Sequence, residues 1–264
     1  MSESSGRRRF LKSAAALGAA LPAAAVPAQQ AQQAQKGHGA PHAAAPAAGR
    51  RAYMFLTAPE VAFVDAAVAR LIPADELGPG AREAGVTYFI DQQLFGGWGS
   101  MAKMYKQGPH PEGTPQQGYQ GPLTPQEVYR TGIREANLHC VKQYGRSFDK
   151  LAVAQKDEVL RGLDEGKIEL ESVRSRFFFN MLLNNTIEGF FSDPIYGGNR
   201  NKVGWKLVGF PGVAAVYTAH IETRNVPYKA EPVSIQDIVE RRAEVDEHGH
   251  AKHVMLGENT AGKE

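Results

Sequence analysis

Cysteine is almost missing from this chain of 264 residues, where Cys140 stands alone. One thiol excludes a disulfide-stapled scaffold, every Cys-rich metal or iron–sulfur site, and haem attachment through Cys-x-x-Cys-His. Long apolar runs are lacking too, so no segment reads as a membrane-spanning helix. Neither sign of charge dominates: 30 Lys and Arg face 28 Asp and Glu, which gives no reason to expect a nucleic-acid surface. No Gly-x-Ser-x-Gly elbow, phosphate loop or dinucleotide fingerprint occurs, and the lone thiol falls on an apolar helical stripe with no base beside it. Neither catalytic nor metal-binding residues are expected in this chain, and no cofactor of its own. What remains, at 42% hydrophobic and 22% charged, is an ordinary globular composition, long enough for one generous domain or two small ones.

The first 28 residues read as an address. Gly6-Arg7-Arg8-Arg9-Phe10-Leu11-Lys12 precedes a mild, Ala-rich stretch to Ala25, and Val26-Pro27-Ala28 offers small residues for cleavage. Arg7 and Arg8 followed by Phe10-Leu11-Lys12 resemble a twin-arginine export motif, with Gly6 where Ser or Thr is usual. A generic secretory signal is the alternative. Removing residues 1–28 takes away four basic residues and one acid, leaving 26 against 27, so the mature chain is not a cationic binder. Residues 29–50 hold mostly Gln, Ala, Pro and Gly and predict a disordered linker; His38 and His42 within it read as solvated.

Helical signals begin after Tyr53. Thr57 with Glu60 forms a capping box, and Val61, Val64, Val68 and Leu71 recur at helical spacing until Pro73. A second helix is predicted over 81–94, with Val86, Phe89, Ile90 and Leu94 on one face. Residues 96–121, rich in Gly, Pro and Gln, predict a long irregular surface loop. Thr124 and Glu127 repeat the capping signature before a stripe of Tyr129, Ile133, Ala136, Cys140 and Tyr144, closed by Gly145. A shorter helix follows over 154–163. Ser172 is expected to cap a long apolar helix over 173–191, ended by Asp193-Pro194. Only 213–217 is ambiguous between helix and strand. The expected fold is all-α: a single helical domain with long irregular loops over 51–232, followed by a charged, frayed tail over 233–264 in which His248, His250 and His253 support no more than adventitious metal binding.

Three features invite a functional reading. Glu135 and His139 are the nearest approach to a metal-ligand pair, but a spacing of four on one helix reads as a surface contact between helix neighbours. Asn180, Asn184 and Glu188 draw a polar line along the greasiest helix, which faces water or another chain. The Gly-rich segment over 193–212 carries Arg200, Lys202 and Lys206 without an acid between Pro194 and His220. Packed internally, it tucks against the long helix through Tyr196, Trp205 and Phe210. As a docking loop, Gly197 and Gly198 let the backbone approach a partner beside Tyr196 and Asn199, Arg200 pairs with a carboxylate, and Trp205 and Phe210 are anchors. Cys140 is either a small buried hydrophobe or half of an intersubunit disulfide.

Tyr196-Gly197-Gly198-Asn199-Arg200, Gly204-Trp205-Lys206 and Gly209-Phe210-Pro211-Gly212, with the run 177–191, the segment 56–73 and the twin-arginine leader, resemble the small (gamma) subunit, subunit 3, of the membrane-bound gluconate 2-dehydrogenase family. That resemblance implies a non-catalytic subunit of a periplasmic complex at the outer face of the inner membrane. Its partners would be a flavoprotein large subunit, which oxidises a sugar acid or polyol at FAD, and a multihaem cytochrome c subunit. The small subunit would aid export and stability of the flavoprotein. A stand-alone periplasmic enzyme or small-ligand binder using the 193–212 segment is the alternative.

Overall fold

A computed structural model describes residues 52–111, 113–213, 221–222 and 225–256. The expected leader and linker lie outside these, as does the ambiguous stretch except for Val213. Among the described residues the domain is helical, with seven α-helices: α1 (Ala58–Leu71), α2 (Val86–Phe95), α3 (Pro125–Tyr144), α4 (Val153–Asp164), α5 (Ser175–Phe191), α6 (Val203–Val208) and α7 (Ile235–Val239). Short 3-10 turns fill several of the connections.

The caps form as the sequence requires. Glu60 accepts from the Thr57 N–H at 2.8 Å, and in α3 the box is reciprocal, Thr124 N–H to Glu127 at 2.7 Å and Glu127 N–H to the Thr124 hydroxyl at 3.2 Å. Gly145 closes α3 in a left-handed conformation at φ 71°. The central element is α5, which touches α1, α2, α3, α4 and α6. Its buried side presents Phe178, Phe179, Leu182 and Phe190. Phe178 meets Phe63 of α1 with ring centroids 6.2 Å apart and Tyr129 of α3 edge-on at 6.0 Å, while Phe63 also meets Phe148 at 4.6 Å. One polar pair crosses this apolar layer. Asn185 donates to the buried Tyr129 hydroxyl at 3.0 Å, so neither polar group is stranded. Burial foremost, and the Glu188 charge behind it, raise the Tyr129 phenol well above its ordinary value.

Three boundaries differ from expectation, each for a tertiary reason. The second helix starts at Val86 rather than 81, because Gly85 takes a left-handed φ of 79° and the Ala84 carbonyl accepts from the Arg200 N–H at 2.9 Å. Ser172 does not cap α5. Its N–H donates to Glu135 of α3 at 3.1 Å, and the helix begins only after Arg174. The domain also runs past the expected limit at 232. Ser234 and Asp237 form a capping box that opens α7, and Asp193 accepts from the N–H groups of Ile195 at 3.0 Å and Ile235 at 2.7 Å, fastening α7 to the end of α5. Isolated bridges pair Gly212 with Val233, Ala230 with Met255 and Val245 with Ala251.

At the other end of the domain, the fully buried Asp91 of α2 accepts from three consecutive backbone groups, Met54 at 2.7 Å, Phe55 at 2.9 Å and Leu56 at 2.8 Å. Charge-assisted bonds of this kind contribute about 1.5–3 kcal/mol each, so Asp91 fastens the segment 54–56 to α2.

Candidate functional site

The 193–212 segment wraps the C-terminal end of α5, and most of its distinctive residues face inward. Asn199 is fully buried at φ 44°. Its amide donates to the Ser192 carbonyl at 2.8 Å and its carbonyl accepts from the Gly204 N–H at 2.8 Å, stapling the segment into a closed turn. Gly198 presses on α5 so closely that a Cβ there would lie 2.9 Å from the Gly189 carbonyl carbon. Trp205 is buried, and its indole N–H donates to the Phe191 carbonyl at 2.7 Å. Phe210 packs edge-on against it at 5.1 Å and stays partly exposed. Lys202 pairs with Asp237 at 2.8 Å and Lys206 with Glu231 at 2.7 Å.

These placements sort the residues the sequence singled out. Gly198, Asn199 and Trp205 serve internal packing, and the ring of Tyr88 rests against Gly197. Tyr196 and Arg200 project outward. Around Arg200 the fold gathers two residues that the motif reading passed over. Tyr53 and Tyr88 lie with ring centroids 6.3 Å apart, and the Arg200 guanidinium lies over Gly85, where an added Cβ would come within 3.2 Å of it. No local sequence signal could reveal this cluster, since Tyr53 and Tyr88 each lie more than a hundred residues from Arg200.

Asp237 is the electrostatic centre of the second half. Burial by itself would raise its carboxyl, but bonds from Lys202, Ser234 and Arg242 outweigh that and hold it far below the usual carboxylate range. Glu135 is buried and pairs with Arg134 and Ser172 rather than with His139, so the surface-pair reading of Glu135 and His139 does not hold. Burial works against its charge, yet these bonds lower its carboxyl overall. His253 is held between the Tyr228 hydroxyl at 2.7 Å and the Val213 carbonyl at 3.0 Å, and His250 contacts Asp246 at 3.0 Å. Among the described residues no group of three or more His, Cys, Asp or Glu converges as a metal site, and no helix is long and apolar enough to cross a membrane.

Cys140 is completely buried against its own domain, and burial pushes its thiol up to about 11. In this conformation it cannot reach a partner's thiol. The line of Asn180, Asn184 and Glu188 lies on the exposed side of α5. Asn180 and Asn184 border a cavity of about 930 Å³ between α5 and the long loop, roofed by Tyr119 stacked on Phe177 at 4.3 Å. A smaller cavity of about 340 Å³ lies beside Arg130, Leu138 and Val141. The 193–212 segment lines neither of these two, so it does not form a shared pocket with the long loop there, as a ligand-binding reading would need.

Residues 58–212 match the family model described as gluconate 2-dehydrogenase subunit 3. The chain belongs to that family. The match begins at the first residue of α1 and ends at Gly212, so it covers α1 to α6 and the whole turn around Asn199. Comparison with curated proteins and with solved structures returns no match. The family places the chain as a subunit of a dehydrogenase complex.

Proposed function

We propose that this chain is the non-catalytic small subunit of a periplasmic, FAD-dependent gluconate 2-dehydrogenase-type complex, and that its own leader exports a flavoprotein partner that has none. The family match over 58–212 carries this reading. Arg7 and Arg8 in the leader supply the twin-arginine signal, a route that moves folded proteins and therefore suits a cofactor-loaded passenger. On this reading FAD belongs to the large subunit, which oxidises a sugar acid or polyol, and haem c to a multihaem cytochrome subunit that takes the electrons. The complex sits at the outer face of the inner membrane through those partners. The present chain holds the flavoprotein during export and stabilises it afterwards.

Replacing Arg7 and Arg8 together by Lys tests the export role. The precursor and the dehydrogenase activity are expected to remain in the cytoplasm. Unchanged periplasmic activity would show that this leader does not carry the flavoprotein.

A further inference from the structure

The Arg200 guanidinium is exposed and makes no ion pair among the described residues. The carboxylates around Tyr53 are engaged elsewhere. Asp65 accepts from Thr87 and faces Arg82 at 3.7 Å, and Asp91 is taken up by its three backbone donors. The loop neighbours Lys202 and Lys206, by contrast, each have a carboxylate.

Arg200 is also held in place. Its N–H is bonded to Ala84, and its guanidinium rests on the flat surface left by Gly85, whose left-handed φ itself favours glycine. Exposed apolar groups accompany it: Tyr53, at 40%, lies within reach of the Arg200 charge, and Tyr196, at 54%, stands four positions earlier in the same segment. A pre-positioned Arg bordered by aromatic rings has the composition that dominates interface energetics, because the rings exclude water from the charge pair and little side-chain freedom remains to be lost.

We propose that the Tyr53–Tyr196–Arg200 patch receives a surface carboxylate, flanked by apolar side chains, on the flavoprotein subunit. This rests on the complex proposed above. It places the docking surface at the α2 end of the 193–212 segment and assigns Trp205, Gly198 and Asn199 to folding.

Binding of the purified chain to the flavoprotein subunit is measured for wild type, Arg200→Gln, Arg200→Glu, Tyr196→Ala and, as a cation control in the same segment, Lys206→Gln. Arg200→Gln and Tyr196→Ala are each expected to weaken binding by about tenfold or more, with Arg200→Glu weaker still. Lys206→Gln is expected to stay near wild type, and the melting temperatures of the free Arg200 and Tyr196 variants to stay close to that of the parent. Wild-type binding that is unaffected by Arg200→Gln and Tyr196→Ala overturns the patch and leaves the subunit reading standing. Failure of the wild-type chain to bind overturns both. If both Arg200 variants unfold the free chain, Arg200 is a structural residue and the assignment is wrong.

Discussion

Gly198→Ala separates an internal role for the glycine pair from a partner-facing one. Gly198 is not in the left-handed region, so alanine suffers no backbone penalty there. On that ground alone the substitution would stabilise the chain by about 0.4–1 kcal/mol, through the unfolded state. The packing term opposes it. The new methyl would sit 2.9 Å from the Gly189 carbonyl carbon and 3.1 Å from Gly189 Cα, against an ordinary carbon–carbon contact of about 3.5–4.0 Å. Segment and helix must therefore separate by more than half an ångström. Gly189 lies on the buried side of α5, and the segment is tied to α5 by Asn199 and Trp205, so neither can yield freely. Overpacking of this kind costs about 1–3 kcal/mol, and a clash with backbone belongs at the upper end, so the net change is destabilising. At about 2–4 °C per kcal/mol, the free subunit should melt several degrees lower. Calorimetry or thermal circular dichroism on the isolated mature chain reads this directly. An unchanged or higher melting temperature, with binding to the flavoprotein lost, would refute the internal role and restore the glycine pair as a partner-facing element.

Two further outcomes follow from the same structure. The folded Asp237 carboxyl lies below its unfolded value of about 3.9, so its contribution is complete above that pH and is lost as pH falls towards the folded value. Asp237→Asn should therefore lower the melting temperature at neutral pH and flatten its decline below about pH 4; an unaltered acid limb would remove Asp237 as the cause. Cys140, buried and with its thiol pushed up to about 11, should resist a charged maleimide at neutral pH until denaturant is added, and should give no reducible band at the summed subunit mass on a non-reducing gel. Rapid labelling of the native chain, or such a band, would contradict the burial.

The helices were legible because their signals are local. Thr57 with Glu60 and Thr124 with Glu127 lie three residues apart, and the apolar faces of α1, α3 and α5 repeat every three or four positions, so each window of sequence contains its own instruction. The family was legible for a similar reason, since its motifs are contiguous. Boundaries set by distant partners were not. Ser172 looks like a cap, but Glu135, 37 positions away, claims its N–H. The segment 81–85 looks helical, but Arg200 takes the carbonyl of Ala84. α7 has too little apolar surface to announce itself, and it is held by Asp193 and Lys202 from outside its own span. The candidate surface divides in the same way. Composition alone marked 193–212 as unusual, yet which of its residues turn inward depends on how near α5 and Gly85 come. That distance is fixed by the packing of five helices around α5, which no single stretch of sequence encodes.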